Sequence, residues 1–547
     1  MTDPAFDTHE VFNQPPPLEP YNSWQTDPVL QDLVGRYSDW GRTELDAYGA
    51  ICGDELAALG VEANRHKPVL HTHDRYGHRI DEVRFHPAYH RIMELGVAHG
   101  VHALPWQRPE PGAHVVRAGL EYLHHQAEAG TNCPLTMTYA SVPALKHAPA
   151  LAEQWLPKIV SGEYDPGFGP MAEKAGVTLG MGMTEKQGGS DVRVNTTLAQ
   201  SIGGDDYELV GHKWFFSAPM CDAFLVLAQL PEGPSCFLLP RWRPDGSLNA
   251  IRIQRLKDKL GNWSNASSEV EFQRAFAQRV GEPGRGVATI LEMVSLTRLD
   301  CIVGSAAEMR QALVQAVHHC NHRQAFGKRL VQQPLMRQVL ADLALELEGH
   351  AALMMRVAAA VDRAGADPQQ AAFARLGTAI GKFWVCKRAP AFVNEARECL
   401  GGAGYVEESV LPRLYREAPL NSIWEGSGNL QCLDMLRAIR RDPESLAAVR
   451  AEIESAAADS PTLAAALADL DRLLSETDAL EVRARLVAER LALSLQAALL
   501  LRHAPGGIAE AFGATRLAGE GARGYGATRV ELPVQDLIAR AWPDAAT

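Results

Sequence analysis

The stretch Gly180-Met181-Gly182-Met183-Thr184-Glu185-Lys186-Gln187-Gly188-Gly189-Ser190-Asp191 places four glycines and two hydroxyl side chains in one short run. Glycine lets the backbone approach a flat ligand closely or adopt a positive φ, and Thr184 and Ser190 can donate or accept hydrogen bonds. A glycine-rich loop alone is often only a turn. A second segment, Gly211-His212-Lys213-Trp214-Phe215-Phe216-Ser217, follows at a distance suited to a β-hairpin and ends an aromatic run on a hydroxyl. The two segments together favour a ligand site over a simple turn.

Both segments resemble the flavin-binding core of the acyl-CoA dehydrogenase superfamily. That family carries a Thr-Glu-x-x-x-Gly-Ser-Asp loop and then a Lys-x-Trp-Ile-Thr strand, which correspond here to Thr184–Asp191 and Lys213–Ser217. Phe215 takes the tryptophan position and Ser217 the threonine position. Three segments match the AidB-like branch, named for the adaptive response to alkylation: Val11–Pro15, Met183–Gly189 and Leu256–Asn262. The resemblance runs from about residue 10 to about residue 440 and is looser in the last hundred residues.

The resemblance implies an α+β protein with the acyl-CoA dehydrogenase fold, assembled as a homotetramer. The expected order is an N-terminal arm and α-helical domain (1–180), a flavin-binding β-domain (181–280), an α-bundle with the catalytic glutamate (281–440) and an extra C-terminal helical domain (441–547). Helical periodicity in the third part agrees with this order. Short apolar runs between turns predict strands at Tyr207–Val210, Phe224–Leu227, Ser235–Leu239, Ile251–Ile253 and Glu269–Phe272.

The composition limits the classes of function. A chain of 547 residues exceeds one hydrophobic core, and the net charge of −13 argues against a generally nucleic-acid-coating protein but allows a local basic patch. Nine scattered cysteines without a C-x-x-C pair fit a reducing cytosol. No signal peptide is evident, and the longest apolar run, Leu491–Leu501, is too short to span a bilayer. We therefore expect a cytoplasmic protein with no membrane partner.

Two features of the N-terminal part allow an ordinary structural explanation as well as a functional one. The proline-rich start would ordinarily be a disordered tail, but its apolar and aromatic residues indicate an arm packed on the body or on a neighbouring subunit: Phe6, Val11, Phe12, Tyr21 and Trp24. His86 and His90 have the spacing of an H-E-x-x-H metal pair. Because Pro87 stands where the glutamate should be and breaks the required helix, capping or surface histidines are favoured, and no metal is expected.

The resemblance assigns flavin contacts to the loop and strand. These are Met181, Met183, Thr184, Gly189, Ser190, Phe215, Phe216 and Ser217. Ser217 would lie near the reactive flavin nitrogen, and Thr184, Ser190 and Ser217 would also contact the substrate. Backbone N–H groups and hydroxyls at such a site stabilise negative charge on the reduced ring.

Two further segments resemble those that hold the remainder of FAD. Arg323-Gln324-Ala325-Phe326-Gly327-Lys328, with Gln333, is similar to a segment that reaches across a subunit interface to the FAD pyrophosphate, and an arginine fork suits phosphate. Leu400, Gly401 and Gly402 open a loop similar to the one behind the adenosine half. Glu398 stands where many members have glutamine and places a negative charge near the phosphates.

The segment Asn421-Ser422-Ile423-Trp424-Glu425-Gly426-Ser427-Gly428-Asn429 resembles the family's Ile-Tyr-Glu-Gly-Thr segment, whose glutamate is the base. By the same resemblance Ile423, Trp424, Ser427 and Asn429 contact the cofactor. A carboxylate beside the substrate α-carbon removes a proton while hydride passes to the flavin, and burial would raise its pKa. One branch places its base at the position of Thr297, which cannot serve, so Glu425 is the predicted base. A related nitroalkane oxidase uses aspartate, which argues against that activity.

In the AidB-like branch the last domain binds DNA. Residues 441–547 contain eleven arginines, no lysine and sixteen acidic residues, a poor balance for phosphate binding. Six arginines could still form a basic stripe, with solvated helix faces as the alternative: Arg437, Arg440, Arg441, Arg516, Arg523 and Arg529. Two functions stay open. One is an FAD-dependent dehydrogenase of a short branched, isovaleryl-CoA-like acyl-CoA. The other is a flavoprotein of the alkylation response that binds double-stranded DNA and turns over little.

Overall fold

Along the chain, a seven-stranded sheet lies between two helical regions. The computed structural model describes residues 8–521 and 523–542, so Phe6 lies outside the described residues. Proline at the first turn, which needs no N–H partner there, opens α1, α4, α5 and α8. The N-terminal elements are α1 Pro28–Tyr37, α2 Arg42–Cys52, α3 Glu55–Arg65, β1 Val69–His73, β2 Arg79–Arg84, α4 Pro87–Ala98, α5 Leu104–Gln107, α6 Ala113–Ala127, α7 Asn132–Leu145 and α8 Pro149–Ile159.

Seven strands form the sheet, and each predicted strand run lies inside one of them. They are β3 Leu179–Gly182, β4 Leu198–Gly203, β5 Asp206–Ser217, β6 Ala223–Leu230, β7 Gly233–Pro240, β8 Ile251–Leu256 and β9 Ser267–Val280. The order is β3-β6-β4-β5-β9-β7, with β8 paired to β9. β3 runs parallel to β6, and β5 and β9 form a long antiparallel pair. Phe224–Leu227 is fully buried, as expected for a strand covered on both faces.

Three long helices build the second helical region, and a tight hairpin joins the first two. The elements are α9 Gly286–His322, β10 Gln324–Ala325, β11 Lys328–Arg329, α10 Pro334–Arg363, α11 Pro368–Glu398, α12 Leu411–Glu417, α13 Gly428–Arg441, α14 Pro443–Ala457, α15 Pro461–Ser475, α16 Ala484–His503, α17 Ile508–Phe512 and α18 Val534–Ala541. Leucines spaced along α10 differ in burial: Leu343 and Leu347 are buried, whereas Leu335, in the first turn, is 84% exposed.

The last helices do not stand apart from the bundle. α14 packs on α11 and α16, α16 packs on α10 and α11, and α18 packs on α10. Their apolar side chains, such as Val449 and Leu495, belong to the same buried cluster as those of the N-terminal helices. Residues 441–542 therefore add a layer to the existing core, because an amphipathic helix must bury its apolar face.

The N-terminal arm lies on the body of the same chain. Asn13 exchanges two hydrogen bonds with the backbone of Gln324, at 2.9 and 2.8 Å. Trp24 is buried, whereas Val11 and Phe12 are 74% and 76% exposed. The arm is thus anchored by backbone contacts and leaves two apolar side chains facing outward.

His86 and His90 have separate hydrogen-bond partners in the structure. His86 accepts the N–H of Ala88 as the cap of α4, and His90 Nδ1 lies 3.0 Å from the Tyr164 hydroxyl. In 8–521 and 523–542, no three His, Cys, Asp or Glu side chains are grouped to hold a metal ion. No helix in the same ranges is long and apolar enough to cross a membrane. The nine cysteines are free and buried.

Candidate active site

The glycines of the opening stretch have two different roles. A Cβ on Gly180 would lie 2.4 Å from the Phe224 ring, and one on Gly182 would lie 2.6 Å from the Phe216 ring. These two glycines therefore allow aromatic packing inside the sheet. Gly189 is exposed, and a Cβ there would meet the Thr184 hydroxyl at 2.4 Å.

A buried ion pair holds the loop after β3. Glu185 Oε1 lies 2.8 Å from Lys213 Nζ on β5, and both side chains are fully buried. Glu185 also accepts hydrogen bonds from the Thr197 hydroxyl at 2.6 Å and the Thr196 N–H at 2.7 Å. Burial alone would raise the pKa of this carboxyl, but Lys213 and Thr197 hold it at about 2. The motif glutamate and lysine thus anchor the loop to the strand, so that Thr184 and Ser190 keep their place.

The end of β5 presents alternate side chains to opposite faces. Phe215 is 52% exposed, whereas Phe216 is fully buried with its ring centroid 4.1 Å from that of Phe224. The expected flavin contact of Phe216 can therefore come only from its backbone, because strand side chains alternate. The Ser217 and Ser267 hydroxyl oxygens lie 3.3 Å apart, next to the open end of the strand.

The hairpin β10–β11 carries a highly exposed aromatic side chain. Phe326 is 98% exposed and has φ +51° at the tip. The side-chain amide of Gln333 donates to the Ala325 carbonyl at 2.8 Å, and Arg323 donates to the Asn13 carbonyl at 2.6 Å. The polar side chains of Arg323 and Gln333 are thus used to hold the hairpin and the N-terminal arm, whereas the Phe326 ring is open to solvent.

The second glycine loop is open. Gly401 has φ +61°, and a Cβ on Gly401 or Gly402 would have no atom within 4 Å. Leu400 is partly buried and Glu398 is exposed. The loop therefore leaves free space where the resemblance expects the adenosine half, and Glu398 faces solvent.

Glu425 is held in an unusual backbone conformation at the start of α13. Its φ is +56°, a sparsely populated region that clusters at functional sites. Its carbonyl accepts hydrogen bonds from Arg298 Nε at 3.0 Å and from the Gln431 amide at 3.1 Å. Its carboxylate Oε2 accepts a hydrogen bond from the Thr297 hydroxyl at 2.8 Å. Burial raises the pKa of Glu425, while Thr297 and Lys382 oppose that rise.

The residues beside Glu425 divide into exposed and bonded groups. Ile423 is 62% exposed, and the Trp424 indole donates to Asn421 at 2.8 Å. Asn429 accepts a hydrogen bond from Arg485 at 2.8 Å, and Ser427 is exposed. Ile423 therefore offers an uncovered apolar surface next to the carboxylate.

A buried thiol and a partly buried lysine lie outside the predicted site residues. Burial raises the pKa of Cys133 on α7 to about 11. Burial also lowers the pKa of Lys259 to about 8, and its ammonium donates to the Asn265 carbonyl at 2.8 Å. Nothing in the sequence singles out Cys133 or Lys259, because a single cysteine carries no motif signal and the segment around Lys259 is matched only to the family.

The exposed residues fit a flavin. Phe215 and Ile423 are apolar and uncovered, as a flat ring requires. The hydroxyls of Thr184, Ser190 and Ser217 supply the donors and acceptors that suit the polar edge of such a ring. Met181 is buried, and the Met183 carbonyl accepts from Asn195 at 2.8 Å, which places backbone groups rather than the Met181 side chain at the site.

Comparison with known proteins agrees with this arrangement. The adaptive response protein AidB N-terminal domain matches residues 13–166, the acyl-CoA dehydrogenase middle domain matches 180–275 and the acyl-CoA dehydrogenase C-terminal domain matches 284–440. AidB of Escherichia coli (strain K12) is 51% identical over 438 residues, which cover 79% of this chain and 81% of that protein.

The chain belongs to the AidB branch of the acyl-CoA dehydrogenase family. The predicted family and fold class are therefore confirmed. Acyl-CoA dehydrogenase family member 11 of Caenorhabditis elegans is 31% identical over 76% of this chain and 70% of that protein.

One solved structure is similar to this chain over nearly its whole length, and a second over about two thirds of it. Caenorhabditis elegans ACDH-11 in complex with C11-CoA has a TM-score of 0.86 at 27% identity and covers 94% of each chain. A glutaryl-CoA dehydrogenase from Mycobacterium smegmatis in complex with FADH2 shares the fold, with a TM-score of 0.54 at 20% identity over 64% of this chain and 86% of that one. That relative's flavin agrees with the predicted cofactor, FAD.

The six candidate DNA-binding arginines are not equivalent. Arg437, Arg440 and Arg441 are exposed at the end of α13, where they recur at helical spacing. Arg516 instead lies 2.5 Å from Asp342 and 3.3 Å from Glu346, and is only 16% exposed. Its place in a phosphate-binding stripe is therefore wrong, because its charge is already neutralised inside the protein. Arg523 and Arg529 are exposed.

Proposed function

We propose that this protein is an FAD-dependent acyl-CoA dehydrogenase in which Glu425 removes the α-proton of an acyl-CoA. The observation that supports this most is the way Glu425 is held: its φ is +56°, Thr297 donates a hydrogen bond to its carboxylate over 2.8 Å, and Arg298 and Gln431 bind its carbonyl. A carboxylate fixed in one direction is what removal of the α-proton of a thioester needs.

The chain's own residues hold the base ready. Thr297 donates a hydrogen bond to Oε2 of Glu425. No described residue donates one to Oε1, which is left to accept the substrate proton. Arg298 and Gln431 fix the backbone of Glu425, so that the carboxylate keeps one direction. The raised pKa makes Glu425 a stronger base than an exposed glutamate. Bound FAD would supply the hydride acceptor.

The cofactor arrangement that we propose includes a second subunit. Phe326, which is 98% exposed at the hairpin tip, would contact the FAD of a neighbouring chain together with Arg323 and Gln333. The assembly that we propose is a homotetramer, in which Gly401 and Gly402 leave room for the adenosine half.

The substrate that we propose is a short branched acyl-CoA such as isovaleryl-CoA. The likeness to ACDH-11, whose structure contains C11-CoA, supports a CoA thioester as the substrate. The eleven-carbon acyl chain of that ligand sets the longest acyl group to test. The test is anaerobic titration of the purified protein with isovaleryl-, butyryl-, octanoyl- and undecanoyl-CoA while the flavin absorbance is followed. We expect bleaching by isovaleryl-CoA; bleaching by undecanoyl-CoA alone would contradict the short-chain assignment.

The matched variants identify the base. Glu425→Gln keeps the shape of the side chain and loses its basicity, so bleaching should slow by about 10²–10⁴-fold with FAD retained. Glu408→Gln makes the same chemical change at an exposed position and should behave as wild type. Equal rates in the Glu425→Gln variant and the wild type would remove Glu425 from the mechanism.

A second function is supported by a separate observation. Arg437, Arg440 and Arg441 expose three positive charges at the end of one helix in an otherwise acidic chain. We propose that this surface, with Arg523 and Arg529, binds double-stranded DNA through its phosphates. A tetramer would strengthen such a weak contact by avidity.

A further inference from the structure

A cavity separate from Glu425 and the glycine loops lies where both ends of the described chain meet. Its volume is about 700 Å³. The walls come from the arm near Tyr21, the end of α9, the segment 329–337 and α18 with Trp542. Three lining residues, Arg329, Val331 and Gln332, lie between Lys328 and Gln333 of the segment assigned above to FAD. None of the residues assigned to FAD or to the base is itself part of the lining.

The charge of this cavity opposes that of the chain. Its lining includes Arg329 and Arg337 and, among the described residues, no aspartate or glutamate. Burial lowers the pKa of the lining residue His318, so that ring adds no charge at neutral pH. The whole chain carries a net charge of −13. A concave surface with two arginines and no carboxylate in its lining is suited to an anion.

The two arginines are available to a ligand. Arg329 is exposed. Arg337 reaches only the side-chain oxygen of Gln535, at 3.4 Å, which is longer than an ordinary hydrogen bond. His318 is held by the Pro16 carbonyl at 2.9 Å. Guanidinium groups with free donors bind phosphate oxygens in pairs.

Part of the wall is aromatic. Tyr21 and Trp542 pack edge to face with ring centroids 5.5 Å apart, and Trp542 is 5% exposed. Leu18 and Ile538 add apolar surface. A cavity of this size falls within the range of small-molecule sites, and it pairs an apolar wall with a cationic rim.

We propose that this cavity binds a nucleotide, with its phosphates on Arg329 and Arg337 and its base against the Tyr21–Trp542 wall. The ligand would join the N-terminal arm to α18, so binding should raise the melting temperature of the protein. This site is independent of the proposed dehydrogenase activity, because it shares no residue with that mechanism.

The test is calorimetric titration of the FAD-saturated protein with ADP, pyrophosphate and adenosine. We expect ADP to bind at about one per chain, with pyrophosphate and adenosine each weaker by about tenfold or more, since each lacks one half of the contacts. The flavin absorbance must stay unchanged during the titration. No binding of ADP, displacement of FAD by ADP, or pyrophosphate binding as tightly as ADP would each overturn the proposal.

Two variants locate the site. Arg329→Gln with Arg337→Gln should weaken ADP at least about tenfold while FAD stays bound. Arg285→Gln is the control, since it removes an exposed arginine at the other end of the 37-residue helix α9, about 55 Å away at the rise of an α-helix. The ligand-free melting temperature reports whether the double variant is folded. Unchanged affinity in a folded double variant, or loss of FAD from it, would contradict the assignment.

Discussion

The hydroxyl of Thr297 donates a hydrogen bond to Oε2 of Glu425 over 2.8 Å, and it also lies 3.0 Å from the Val294 carbonyl. One hydroxyl proton can serve only one acceptor at a time. Thr297 should therefore donate to Glu425 when the carboxylate is charged. When Glu425 is protonated, it can donate to Thr297, which then turns to Val294. The residue that sequence reasoning set aside as unable to be a base thus contacts the base.

Removing the Thr297 hydroxyl should change the pH dependence of the reaction. Thr297→Val keeps the shape and removes the donor that stabilises charged Glu425, so the pKa of Glu425 should rise further. Because only the ionised carboxylate accepts a proton, the acidic limb of the bleaching rate should move to higher pH, by about one unit. Thr297→Ser keeps the hydroxyl and should leave the limb in place. Superimposable profiles for the valine variant and the wild type would exclude this role.

Ionised Glu425 should lower the free energy of unfolding at neutral pH. Burial raises its pKa above the usual 4.5, so the native state binds this proton more tightly than the unfolded state does. The free energy of unfolding must then fall as the pH rises from that usual value through the raised one. Glu425→Gln should melt at a higher temperature than wild type at pH about 8 and at the same temperature near pH about 4. Glu408→Gln should show no such pH-dependent difference, and a lower melting temperature of Glu425→Gln at both pH values would contradict the linkage.

The Glu185–Lys213 pair should be essential for the loop after β3. Glu185→Gln leaves a buried, unpaired ammonium, at a cost of about 3–5 kcal/mol, and should release FAD. Replacing both partners, with Glu185→Gln and Lys213→Met, should recover much of the stability. Urea unfolding with flavin fluorescence measures both effects. Since the pKa of Glu185 is lowered to about 2, its stabilisation is present above the ordinary glutamate value and is lost as the pH falls towards 2. A single variant as stable as wild type would be inconsistent with a charged pair.

DNA retention should depend on the end of α13 and not on Arg516. If the exposed arginines contact phosphates, affinity should fall with salt at a slope of about −0.9 per phosphate. Replacing Arg437, Arg440 and Arg441 by alanine should flatten that slope by up to about three such contacts. Arg516→Ala is the matched control, because that side chain is already paired with Asp342. Absence of duplex retention by the wild type at about 50 mM salt, where phosphate contacts are strong, would leave the enzyme function alone.

The cofactor should be released intact by acid. No cysteine or histidine lies in 181–190 or 215–217 as an attachment point, so non-covalent FAD is expected. Acid precipitation should leave FAD in the supernatant, where chromatography separates it from FMN. Colour that stays in the pellet, or FMN in the supernatant, would contradict this expectation.

The sequence by itself determined the family, the order of helices and sheet, and the candidate base, because turn residues, hydrophobic periods and motif spacings are local properties of the chain. Tertiary structure alone decided which motif residues are accessible. Phe215 faces outward and Phe216 inward. Gly180 and Gly182 make room for aromatic rings. The charge of Arg516 is neutralised by Asp342.

The pairing of Thr297 with Glu425 joins positions 128 residues apart, and that of Lys213 with Glu185 joins two separate segments. No spacing rule predicts such contacts, since they depend on how distant elements pack together. The sequence therefore determined which chemical groups the protein carries, whereas the packing of distant elements decided which of them meet, which are neutralised and which remain free to act.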